Sequence, residues 1–133
     1  MKIPFFERLA ESRTVLIAGA GGGFDVFAGL PLYFWLRSIG RTVHLANLSF
    51  TMLDLCEGKR PVASLMQVMP GTPGPAGYFP ERYLAQWLAA RLEAVPVYAI
   101  ERGGARTVLS AYEWLVGTLR PDTLIVVDGA WIV

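Results

Sequence analysis

The chain has 133 residues, 53% of them hydrophobic and 17% charged, with 12 Lys plus Arg against 11 Asp plus Glu and a formal net charge of +1. That length supplies one domain with a real core and is too short for two. The balanced charge carries no footprint of a nucleic-acid or anionic-membrane binder, and one cysteine, Cys56, excludes an internal disulfide and a multi-cysteine zinc site.

The start, MKIPFFERLAESR, has no continuous apolar segment of the secretory type, and cytoplasmic is the default compartment. Residues 4–12 suit a short amphipathic helix with Pro4 in its first turn and Phe5 and Leu9 four apart. The run TVLIA over 14–18 reads as a strand covered on both faces, as in a parallel sheet, and it ends in Gly19-Ala20-Gly21-Gly22-Gly23. Residues 24–39 follow as a helix that is apolar almost all round and so buried, kinked or restarted at Pro31 and capped by Gly40.

A second strand is expected over 42–48, then a short helix whose Thr51 and Asp54 are spaced as a capping box, ending at Gly58. A third strand covers 62–69. The longest uncharged run, residues 61–80, holds five prolines and three glycines, which excludes a membrane-spanning helix, and its part 70–80 reads as a functional loop. A helix over 80–93 carries Leu84, Trp87, Leu88 and Leu92 on one stripe. A fourth strand over 95–100, a helix over 106–119 and a fifth strand over 123–127 complete the alternation. The fold expected is a single three-layer α/β domain, a Rossmann-like open sheet of about five mostly parallel strands.

In such a sheet, ligands bind at the carboxyl ends of the strands, near the point where strand order reverses. That edge carries Gly19, Gly21, Gly22, Gly23 and Asp25, then Asn47 and Ser49, then Glu101 and Arg102, then Asp128. Backbone N–H groups of a glycine loop before a helix can converge on phosphate, whereas a tight packing turn is the bland alternative. Against the dinucleotide fingerprint, Gly19 and Gly21 match, Phe24 replaces the third glycine, and the acidic residue after the second strand is absent, which disfavours NAD. The loop also resembles the pyrophosphate loop of the ATP pyrophosphatases, S-G-G-x-D-S, set against Gly21 to Val26, without either serine.

Asp25 is an N-cap or a contact for Mg²⁺ or a ligand hydroxyl; Asp128 and Glu101, read as ends of neighbouring strands, could join it around the cation. Arg102 is an anion clamp or a surface arginine. Tyr78, Phe79, Glu81 and Arg82 stand where the long loop enters its helix, as a lid or as ordinary helix-start residues. His44 reads as a strand histidine, Cys56 as a packed thiol, and Phe34, Trp35 and Trp114 as core or interface.

The segments VLIAGAGGGFDV over 15–26, Leu30 to Gly40, YFPE over 78–81, VYAI over 97–100, Ala111-Tyr112 and VVDG over 126–129 together resemble one family. It is catalogued as domain of unknown function 1152, found in archaea and bacteria, and the likeness runs over about residues 13–129. It implies no established activity. It does imply a protein about twice as long, with a second glycine and acidic segment, D-G-G-x-D-S-L, of which Asp128 and Gly129 match the start and Ala130 and residues 131–133 depart.

The function expected is binding of a nucleotide or phosphorylated metabolite at the loop over 19–25, with Mg²⁺ and ATP as the sharpest case. Asp25 and Asp128 are the candidate metal ligands. The alternative is a non-catalytic assembly module with a structural glycine loop. Charge content well below the roughly 25% of ordinary domains points to a homo-oligomer, or to surface covered by further chain.

Overall fold

The computed structural model describes residues 4–129 and 131–132, the last two by their backbone alone. Four strands, β1 (Thr14–Gly19), β2 (Thr42–Ser49), β5 (Val97–Glu101) and β6 (Thr123–Asp128), are mutually parallel where they pair. A hairpin, β3 (Lys59–Val62) and β4 (Leu65–Val68), adds antiparallel to β5, and β7 (Trp131–Ile132) adds antiparallel to β6. The order is β3-β4-β5-β2-β1-β6-β7. The α/β class and the open sheet are those the alternation predicts, with seven strands in place of about five.

The two extra strands have identifiable causes. The run over 62–69 is too apolar to advertise a turn, yet Ala63 and Ser64 form one, and the Arg60 guanidinium donates to Ala63 O at 2.6 Å across it. The first half of the hairpin contains Pro61, which has no N–H to give a sheet, and β3 accordingly lies at the edge. After β6, β7 turns back and pairs with it; Ala130 and Val133, two of the positions that depart from the D-G-G-x-D-S-L pattern, lie outside the described residues.

Burial explains the strand patterns. One face of the sheet, with Val15, Ile17, Leu45, Val97, Ile125 and Val127, is covered by α1 (Pro4–Glu11), α2 (Leu30–Ser38) and α3 (Pro80–Arg91). The other, with Leu16, Ala18, Ala46, Tyr98 and Ile100, receives Ala111 and Leu115 of α4 (Ala105–Leu119). β1 is therefore buried on both sides, which is why it reads as an unbroken apolar run.

The helix expected over 24–39 is two elements. A 3-10 turn over Asp25–Gly29 comes first, and α2 restarts at Leu30 with Pro31 in its first turn. Its end is the one predicted: Gly40 has φ +82, Gly40 N–H donates to Arg37 O and Arg41 N–H to Leu36 O, the two bonds of a Schellman cap. Leu32, Tyr33 and Leu36 are buried, but Phe24, at the start of this segment, is 50% exposed. The capping-box helix after β2 is only a 3-10 turn, Leu53–Leu55. Met52, not Thr51, stands at its cap position and makes no side-chain cap bond, while the Thr51 hydroxyl donates to Glu81.

The Pro/Gly segment is fixed to α3. Arg82 donates to Thr72 O at 3.2 Å and Pro75 O at 2.9 Å, Tyr83 to Gly77 O at 3.0 Å, and Gln86 to Pro70 O at 3.1 Å. Phe79 plugs the underside, fully buried against Leu53, Met66, Val68 and Ala99.

Candidate functional site

The chain runs β1, β2 and β5 outward in one direction and then returns to place β6 on the other side of β1. Strand order therefore reverses between β1 and β6, and Gly19 of β1 is paired with Val127 of β6 at their carboxyl ends. The glycine loop and Asp128 meet there, at the position where open α/β sheets gather ligands.

The glycines are required by side chains that close on the loop. A Cβ on Gly19 would collide with Asn47 Oδ1 and would lie 2.5 Å from Val26 N. One on Gly21 would collide with Asp25 Oδ2 and would stand 2.6 Å from Asp128 Oδ1, so the two carboxylates converge over this residue. Gly23 has φ +82, with the Tyr78 hydroxyl against it.

Asp25 is almost wholly buried, and its Oδ2 accepts Gly22 N–H at 2.6 Å. It reaches backwards into the loop rather than forwards as an N-cap; the residue at that cap position is Phe24. A carboxylate thus already occupies one amide of the loop. Ala20 N–H is used by Val127 O at 3.0 Å. Gly21, Gly23 and Phe24 N–H meet no acceptor among the described residues.

Glu101 and Arg102 stand apart from this group. β5 is separated from β6 by β2 and β1, so at about 4.8 Å per strand Glu101 is roughly 14 Å from Asp128. Glu101 lies 3.5 Å from Arg60, and Arg102 stacks over Phe50 at 4.6 Å. Both line a crevice of about 230 Å³ with Ser49, Phe50, Thr51 and Asp54. Among the described residues, no three His, Cys, Asp or Glu side chains gather as a metal site.

A residue without a sequence-derived role of this kind sits at the centre. Glu81, in the first turn of α3, is fully buried. Its Oε2 accepts Asn47 Nδ2 at 2.6 Å, and its Oε1 accepts Ser49 Oγ at 3.1 Å and Thr51 Oγ1 at 3.0 Å. Burial nevertheless raises its pKa above the ordinary value, against the pull of these bonds. The signal for it was in β2. Asn47, Ser49 and Thr51 alternate at spacing two, on one face of a buried strand and its extension, and buried polar groups need hydrogen-bond partners, which Glu81 supplies to all three.

Asn47 ties this cluster to the loop, because its Nδ2 also donates to Gly23 O at 2.6 Å. Above the loop, Tyr78 packs edge-on against Phe24 with centroids 5.5 Å apart. Burial raises the Tyr78 pKa, the nearby Glu81 raises it further, and Arg102 lowers it. One aromatic ring, on a segment bonded to α3, thus lies against the loop.

His44 lies at the opposite end of β2, lining a crevice of about 430 Å³ with Arg41 and Tyr98, and burial lowers its pKa. Cys56 is half-buried beside Gly74, its thiol pKa raised chiefly by burial. No helix among the described residues is long and apolar enough to cross a membrane.

The chain matches no family model, no curated protein and no solved structure. The chemistry of the site therefore rests on its own residues.

Proposed function

We propose that the loop over residues 19–25 binds a phosphorylated small molecule, with a nucleotide such as ATP as the sharpest case, together with Mg²⁺. The observation that carries this reading is the convergence of the Asp25 and Asp128 carboxylates over Gly21 at the strand-order reversal. Two carboxylates beside outward amides repel a bare phosphate but suit a cation that the phosphate itself helps to ligate. Mg²⁺ is commonly held in this way, by one or two carboxylates plus substrate oxygens. Asp25 and Asp128 would hold the ion, while the N–H groups of Gly23 and Phe24 would meet phosphate. No reaction is assigned, and the likeness to domain of unknown function 1152 adds no activity.

Thermal unfolding tests this reading by mass action on the folded state. ATP with Mg²⁺ is expected to raise Tm, with Mg²⁺ alone or ATP with chelator giving little, and Asp25→Ala is expected to abolish the rise. NAD alone raising Tm would favour a dinucleotide site instead. No rise with ATP, pyrophosphate or phosphate in the presence of Mg²⁺ would sink the proposal.

A second reading is favoured by α4 and β6, whose Leu109, Val116 and Leu124 are 58%, 46% and 43% exposed. On it the loop is structural and the chain is an assembly module, expected to self-associate through this apolar surface. Sedimentation as a monomer at high concentration would refute that alternative.

A further inference from the structure

Resting on the reading of the loop as a ligand site, we infer that Glu81 and Asn47 are a positioning pair that fixes which backbone amides the glycine loop presents. Asn47 is fully buried, and its Nδ2 has two hydrogens and two acceptors, Gly23 O and Glu81 Oε2, both at 2.6 Å. Its Oδ1, equally buried, has no hydrogen-bond partner and is turned to Gly19. Rotating the amide would set that oxygen against two other oxygens, so an unpartnered acceptor is tolerated to keep both donors in place.

The consequence for the loop follows from peptide planarity. In a trans peptide the C=O and N–H point in opposite directions. Asn47 draws the Gly23 carbonyl towards the sheet, and the Phe24 N–H of the same peptide must then face away from it, towards the mouth of the loop. Glu81 touches no part of that peptide. It acts by giving Asn47 an acceptor on the correct side, while Ser49 and Thr51 fix its other oxygen.

The chemistry also says which property of Glu81 matters. A protonated Glu81 can place its hydrogen on the Oε1 side, where the Ser49 and Thr51 hydroxyls can accept it, and still receive Asn47 at Oε2. Gln at this position can do the same through its amide. The device thus needs an acceptor oxygen and not a charge. Titratable groups around Glu81 are Tyr78 from the Pro/Gly segment and Cys56 from beyond β2, with Arg102, Arg82 and Arg60 acting on those two.

The test is amide NMR of the full, uniformly labelled chain, read without ligand and then with Mg²⁺ and ATP. Without ligand, both Asn47 Nδ2 hydrogens are expected to be protected from exchange in the unmodified protein; free exchange overturns the pairing. Glu81→Gln should leave the signals of Gly19 to Phe24 in place. Glu81→Ala and Asn47→Ala should move them while leaving those of α4 unmoved. If Glu81→Ala fails to fold, the protection measurement and Glu81→Gln still decide. Loop signals indifferent to all three variants would overturn the inference. With Mg²⁺ and ATP, Glu81→Ala is expected to weaken binding about tenfold and Glu81→Gln less than about twofold, a tenfold loss being about 1.4 kcal/mol. If the unmodified protein binds neither, the proposed function fails while the ligand-free spectra still judge the positioning pair.

Discussion

Replacing Glu81 by Gln removes a carboxylate from a fully buried position while keeping an oxygen for Asn47 and a donor for the two hydroxyls. Burial raises the folded-state pKa of Glu81 above the ordinary carboxylate value of 4.5, in spite of hydrogen bonds from Asn47, Thr51, its own backbone and Ser49. The sign follows from proton linkage. An acid whose pKa is higher in the folded than in the unfolded chain binds its proton more tightly when folded. Its stabilising contribution is therefore full below the unfolded value near 4.5 and is lost as pH rises through the raised folded value. Gln never ionises and escapes that loss. Each pKa unit of difference corresponds to about 1.36 kcal/mol, and a kcal/mol moves Tm by about 3–5 °C in a chain of this size. The variant is expected to equal the parent within about 1 kcal/mol near pH 4 and to be the more stable of the two near pH 7. Urea unfolding of both proteins across that range measures the difference. A Gln variant whose deficit grows towards neutral pH would mean that the bonds to the ionised carboxylate outweigh its burial, and the argument would fall.

Three further outcomes are expected. Gly40→Ala, at φ +82 with open space around it, should cost about 1 kcal/mol of stability through backbone strain alone, read as a fall in the urea midpoint. Asp122→Asn tests the opposite pH sign: N–H groups of Arg13 and Thr14 lower the Asp122 pKa, so its contribution is present above about 3.8 and lost as pH falls through the depressed value. Parent and variant should then converge in acid, and a gap that persists there would contradict it. Leu88→Ala, on the buried face of α3, should lose about 2–5 kcal/mol by cavity formation, measured by the same unfolding curves.

The legible parts of the fold were those enforced by local sterics or by burial on two sides. Gly40 marked the end of α2 because few other residues accept that backbone angle, and TVLIA marked β1 because neither of its faces meets water. The hairpin of β3 and β4 was hidden because its turn, Ala63-Ser64, has neither glycine nor asparagine to announce it. Glu81 was hidden for a different reason. An acid after proline at a helix start ordinarily sits in solvent near the positive end of the helix dipole, and its neighbours in the sequence give no hint that β2 buries it. Glu101 looked like a companion of Asp128 because adjacency in the sheet was assumed from chain order, whereas α4 carries the chain back past β2 and β1.

The attachment of the Pro/Gly segment to α3 bears on where the folded chain can be cut. Segments with so much glycine and proline are ordinarily where proteases nick a domain and where insertions are absorbed. Here the carbonyls of Pro70, Thr72, Pro75 and Gly77 are held by Gln86, Arg82 and Tyr83. A protease needs extended, unbonded backbone, so cleavage there is expected to be slower than the composition suggests, as limited proteolysis of Arg82→Ala against the parent would show. The composition of this stretch describes a weak point, and its hydrogen bonds to α3 work against that description.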